Sequence, residues 1–422
     1  MSLLLTLAVL AIDPTAARTD VSGGIAGEVR GGWAPVTLNE ASTGAFVLVL
    51  TPNVDLRHAN RRQGAFSIGY SPRMFLRQPN RLSLNRPLFF HQIELEYDRP
   101  ISRNWEFRTQ VAGRIGELDY TAASLAFDPG QTAVPGDVSV LSFAIVDGGF
   151  GFTGQVAPRT TLGIGTSAGT RRPLGDEANV GVRPFPDRVY ANFSIGPRFQ
   201  VTERDGVSVN AVASMNDFDP GAVFGAVDLR VAWIHTLRRN LDLALDAGVF
   251  TTRVIARQDD VTDNNGATFP VGGIGLNGRL RARARYALDG GASVGFSGLF
   301  DAISGRLLYR ARASTRLQAS FPPRWSAAID ASFLTSPTPE PLRVAGGAPV
   351  PETLAQVQTP IRYLIDDTKN IEFGAIFGIR APHLAAQSFD SVRYEAWAYL
   401  AFRIGGGTAR GGREVRQRRT SS

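Results

Sequence analysis

Along most of the chain apolar and polar residues alternate one by one. That is the repeat of a strand with two unlike faces, not of a helix. Over 65–77, Phe66, Ile68, Tyr70, Pro72, Met74 and Leu76 fall on one face, and Ser67, Gly69, Ser71, Arg73 and Arg77 on the other. Over 89–98, Phe89, Ile93, Leu95 and Tyr97 oppose Gln92, Glu94, Glu96 and Asp98. Over 276–288, Leu276, Leu280, Ala282, Ala284, Tyr286 and Leu288 oppose Asn277, Arg279, Arg281, Arg283 and Arg285. Over 307–318, Tyr309, Ala311, Ala313 and Leu317 oppose Arg310, Arg312 and Arg316.

The pattern predicts eighteen strands: 20–33, 45–57, 65–77, 88–98, 105–116, 138–153, 160–170, 189–201, 206–216, 223–236, 240–252, 272–288, 292–301, 306–318, 325–335, 356–365, 371–381 and 393–404. Most exceed the roughly 5–6 residues of an average soluble strand and reach the ~9–11 that span a bilayer when tilted. Every even strand is followed by a short connection, the longest being 58–64, whereas 117–137, 171–188, 253–271 and 336–355 follow odd strands. Short turns at one end and longer loops at the other predict an all-β fold, an antiparallel transmembrane β-barrel of about eighteen strands, with sixteen as the alternative. A strand bearing arginine at every second position cannot press that face into a dry core. A water-filled interior accommodates it.

Parity places Glu94, Glu96, Asp98, Asp242 and Asp246 on the polar, pore-lining face together with Arg279, Arg281, Arg283, Arg285, Arg310, Arg312 and Arg316. Charged walls set pore selectivity, so the arginine ladders predict a mild anion preference, offset by the acids. Tyr97, Trp105, Trp233, Tyr286 and Trp325 lie beside short turns on the apolar face, as a membrane-interface aromatic belt would.

The last strand, Glu395-Ala-Trp-Ala-Tyr-Leu-Ala-Phe402, resembles the C-terminal insertion signal of the Gram-negative outer-membrane β-barrel superfamily, broadly its porin-like members. Glu395, Leu400 and Phe402 match that signal; Trp397 stands where the family places glycine, and the chain runs on past Ile404 to Ser422. The resemblance spans about 20–404 and implies an outer-membrane channel for passive or weakly selective diffusion of small hydrophilic solutes. It also implies insertion by the barrel-assembly machinery through the last strand, and a setting of lipid bilayer and lipopolysaccharide. A barrel with a closed lumen, serving as receptor, adhesin or assembly partner through its outer loops, is the alternative.

The apolar run 3–12 followed by Ala16-Ala17 reads as a signal peptide over 1–17, ahead of a barrel over 18–404 and a flexible tail over 405–422. The tail's five arginines against Glu414 supply +4 of the net charge of +7, so the basic balance does not point to nucleic acid. Zero cysteines exclude a disulfide scaffold and a thiolate metal site. Two GxGxxG runs, 149–154 and 273–278, lack the following helix of a dinucleotide fingerprint. The acidic run 259–266 lacks the ligand order of a calcium loop. Of the four histidines, His91 and His235 fall on the apolar face and His58 and His383 in connections, and none joins a serine and an acid as a hydrolase requires. No enzyme, cofactor or metal is expected.

Overall fold

The structure is a computed structural model and describes residues 17–35, 42–60, 64–78, 87–119, 140–174, 187–219, 222–257, 266–282, 286–300, 307–335, 353–381 and 393–405. The regular elements in them are all strands: β1 (Ala17–Pro35), β2 (Ser42–Asn60), β3 (Gly64–Tyr70), β4 (Arg73–Gln78), β5 (Leu88–Pro100), β6 (Trp105–Asp119), β7 (Val140–Ala157), β8 (Thr160–Pro173), β9 (Asp187–Gln200) and β10 (Asp205–Asp219). There follow β11 (Ala222–Arg238), β12 (Leu241–Arg257), β13 (Ala267–Ala282), β14 (Tyr286–Phe300), β15 (Leu307–Phe321), β16 (Trp325–Thr335), β17 (Thr353–Gln358), β18 (Ile361–Asp366), β19 (Lys369–Ala381) and β20 (Arg393–Gly405).

Two pairs of these strands are halves of one stave. Pro72 separates β3 from β4 and Pro360 separates β17 from β18, because proline has no N–H to give the ladder. The neighbours repair each break: Ser71 N–H donates to Gln92 O at 2.9 Å, and Thr359 N–H to Ala375 O at 2.9 Å. The barrel therefore has eighteen staves. Each pairs antiparallel with the next in sequence, and β1 closes on β20 from Gly24↔Gly405 to Trp33↔Ala396. Eight connections of two to four residues lie at one end, together with the start of β1 and the end of β20.

Alternation decides which side each residue sees. Val29, Val111, Phe150, Phe193 and Leu229 point outward and are 38–51 % exposed. A continuous outer surface of this kind is stable only against lipid. The inner surface departs from the expectation of an all-polar lumen. In the half nearer the long loops, Val47, Val49, Phe75, Leu88, Ile376, Trp397 and Tyr399 face inward and are buried in one apolar cluster. A second correction concerns the strand expected over 272–288. The structure ends β13 at Ala282 and opens β14 at Tyr286, so Asp289-Gly290-Gly291 is not a turn but strand, paired with Arg279, Gly278 and Asn277. Glycine and aspartate favour turns by local propensity, but the cross-strand register overrode it here. Residues 1–16 and 406–422, the expected leader and most of the tail, lie outside the described residues.

The seam is tight at Gly32, where a Cβ would meet the backbone of Ala396 in β20; at Gly31, on the outer face, a Cβ would meet nothing within 4 Å. Overpacking of this kind costs about 1–3 kcal/mol or more. Gly32→Val is expected to lower the temperature at which the compact, fast-migrating form is lost on a gel. Gly31→Val is expected to leave it unchanged, and equal behaviour of the two would contradict the seam geometry.

Candidate functional site

The candidate site is the inner wall of the barrel. On β5, Glu94, Glu96 and Asp98 stand one above another on the inner face. Gln92 Nε2 donates to Glu94 at 2.5 Å. Arg108, across on β6, donates from Nε to Asp98 at 2.5 Å and lies 3.8 Å from Glu96 and 4.0 Å from Glu106. One guanidinium thus serves most of the acid ladder. On β11 and β12, Arg230 forks Asp228 at 2.8 and 2.7 Å and lies 3.9 Å from Asp246, while Asp242 accepts from Thr236 Oγ1 at 2.9 Å.

The basic wall spans β13 to β16, and acids that parity alone did not single out are interleaved with it. Arg279 lies 3.2 Å from Asp289, its register partner, and Arg316 lies 3.4 Å from Asp330, likewise its partner. Arg316 Nη2 also donates to Gln318 at 3.0 Å. Arg312 is exposed on the same face and has no ion-pair partner among the described residues, whereas Arg310 is buried. Arg281 stands in β13 opposite Ala287. Arg283 and Arg285 lie outside the described residues, so of the expected four-arginine ladder only Arg279 and Arg281 are in β13 as described. A cavity of about 800 Å³ sits against this wall near the short connections, bordered by Arg239, Asp242, Arg279, Asp289, Arg316 and Gln318. Asp289 and Asp330 were missed because a pair across strands is visible only once register is known.

On the outer face, near the short connections, Tyr97 meets Phe107 edge-on at 6.4 Å, Tyr286 meets Phe321 at 6.1 Å, and Trp325 packs on Tyr363 at 4.6 Å. Trp105 lies over Gly154, where a Cβ would strike its indole. Trp233 stacks on His235 at 5.3 Å, and both donate or bond to Asp205 Oδ1, at 3.1 and 2.7 Å. At the end of the chain's last strand, Leu400 points outward and Phe402 lies across Gly27 of β1, while buried Glu395 accepts from Trp397 Nε1 at 3.0 Å. His91 is on the outer face against Tyr70 at 2.9 Å. His58, expected in a connection, is within β2 and meets Thr19 at 2.9 Å, because β2 runs on to Asn60. His383 and the acidic stretch 259–265 lie outside the described residues. Both GxGxxG runs are inside strands.

Closure, an even number of staves, an apolar exterior and both strand termini on the short-turn side meet in one kind of protein. The architecture is that of a bacterial outer-membrane β-barrel. No protein-family model matches the chain, and no curated protein matches it. Solved structures do. The outer-membrane protein OpdK of Pseudomonas aeruginosa is 9 % identical, with 92 % of this chain and 98 % of that one covered at a TM-score of 0.43. OccK2 (OpdF) of the same organism, solved with glucuronate, is 10 % identical over 92 % and 98 % at 0.45. The siderophore receptor PirA of Pseudomonas aeruginosa is 7 % identical over 94 % and 82 % at 0.46. These are likenesses of barrel architecture.

Arg230 stands between two carboxylates, Asp228 and Asp246, and Arg312 holds none among the described residues. Charge-assisted hydrogen bonds contribute on the order of 1–3 kcal/mol. In this barrel Arg230→Met is expected to reduce stability by that order, seen as a lower thermal midpoint, and Arg312→Met to leave the midpoint within error, as read by the loss of β-structure on heating.

Proposed function

We propose that the barrel is an outer-membrane channel through which small hydrophilic solutes diffuse, with a mild preference for anions. The observation that carries this reading is the closed ring of eighteen staves with charged and polar side chains on its inner wall. Barrels of about 16–18 strands leave room for water along the axis. Passage requires no chemical step; the wall acts through its field on a solute in a narrow aqueous path. The preference is mild because Arg279 and Arg316 each stand beside an aspartate, while Arg312 of the same wall has no ion-pair partner among the described residues. In this reading Tyr97, Trp105, Trp233, Tyr286 and Trp325 anchor the periplasmic interface, and Glu395, Leu400 and Phe402 are read by the assembly machinery. Residues 1–17 direct export, 405–422 trail into the periplasm, and the longer loops face the lipopolysaccharide leaflet.

A second reading, a barrel with a closed lumen that acts through its outer loops, is favoured by one observation. Apolar side chains on the inner face near the long-loop end, Trp397 and Phe75 among them, are 2–6 % exposed, too dry for the wall of an open pore.

Planar bilayers separate the two. The refolded full chain is expected to give stable single-channel steps; their absence with an intact, heat-modifiable barrel would overturn the channel. In a salt gradient, combined Arg279→Ser, Arg312→Ser and Arg316→Ser is expected to move the reversal potential toward cations, and Asp289→Asn toward anions. No movement in either variant would remove the arginine wall from selectivity.

A further inference from the structure

Register brings together a second region of the inner wall that the arginine wall does not include. Three rows of residues cross β6, β7, β8 and β9 at mid-height. The first reads Arg108–Gly151–Gly165–Ser194 and the second Gln110–Gly149–Ser167–Asn192. The third reads Ala112–Asp147–Gly169–Tyr190. Four glycines at the centre of this grid put no side chain into the lumen, so the wall is hollowed there. The hollow is a cavity of about 670 Å³, within the roughly 300–1,000 Å³ of small-molecule sites.

Its polar groups are neutral or already paired. Arg114 lies 3.5 Å from Asp147, which also accepts from the Tyr190 hydroxyl, and the Tyr190 ring reaches that acid across Gly169. Arg108 is committed to Asp98. Beside them, amides and hydroxyls face the lumen: Gln110, Ser167, Asn192 and Ser194. Two of their present bonds are long. Asn192 Nδ2 donates to Ser167 at 3.2 Å, and Ser194 Oγ to Gly165 O at 3.4 Å, near the limit of a hydrogen bond.

We propose that this glycine-floored hollow is a binding subsite for a neutral polyhydroxylated solute, a saccharide or polyol. Each hydroxyl of such a solute both donates and accepts, and so do the amides and hydroxyls of this patch, which exchange their long internal bonds for shorter ones to the ligand. An anion gains little, because each arginine bordering the hollow already faces a carboxylate, and Glu106 at its rim lies 4.0 Å from Arg108. Affinity is weak, as passage requires, since a solute must also leave. The subsite gives the channel reading its solute class and rests on that reading for its role in passage, although binding itself is measurable without it.

The test uses the full chain refolded in detergent. Maltotriose binding is read by saturation-transfer NMR, with a polyethylene glycol of similar size as the neutral control and glucuronate as the anionic one. Maltotriose is expected to give a signal well above the other two. Asn192→Ala is expected to weaken it about fivefold to tenfold, the effect of one lost hydrogen bond. Gly165→Val, which fills the floor, is expected to abolish it; should that variant fail to fold, Asn192→Ala decides alone. A maltotriose signal no stronger than the polymer's, a stronger glucuronate signal, or a signal untouched by Asn192→Ala would overturn the subsite. Bilayer conductance without saccharide binding would sink the subsite and leave the channel. Saccharide binding without conductance would do the reverse.

Discussion

Every backbone N–H and C=O that enters hydrocarbon has to find its partner within the protein, because no water is there to supply one. The rest of this structure follows from that constraint. A sheet of eighteen staves has two unpaired edges unless it closes, and the pairing of Gly24–Trp33 with Ala396–Gly405 removes both. Glycines in β1 let the seam strands approach, with Gly32 against the backbone of Ala396 and Gly27 under the ring of Phe402. Even the prolines obey the constraint. Pro72 and Pro360 each break a stave, and each break is spanned by hydrogen bonds of the adjacent residue.

Closure divides the side chains into two solvents. The outward set is apolar and pays no desolvation in lipid. The inward set is polar over most of the wall, and its charges are arranged less as ladders than as pairs across strands. Arg108 with Asp98, Arg230 with Asp246, Arg279 with Asp289, Arg316 with Asp330 and Arg362 with Glu372 offset one another's charge across the wall. The field along the lumen is therefore patchy rather than uniformly basic. The buried apolar cluster around Trp397 adds a dry sector toward the long-loop end, so the interior is not a single aqueous surface.

Much of the fold was legible in the alternation itself. Period two, strand length and the split between short and long connections led to eighteen strands, and β5, β10, β15 and β16 lie close to the ranges read from them. Legibility ended where local and cross-strand signals conflict. Asp289-Gly290-Gly291 looks like a turn and is strand. Trp397, read as standing in for a glycine, turned out to be an inward residue of a buried apolar cluster.

The chain by itself determined the class of structure and the facing of its residues, because side-chain alternation is a local property of a strand and needs no partner. Only the tertiary structure decided which residues meet. Asp289 and Arg279 are ten residues apart and Asp147 and Tyr190 forty-three, and neither separation hints at contact. Register and closure alone set Gly151 beside Gly165 and both beside Ser194, and so turned scattered small residues into a hollow in the wall. A hydrogen-bonded ladder fixes its partners to within one residue, and that one-residue choice moves every side chain between lipid and lumen.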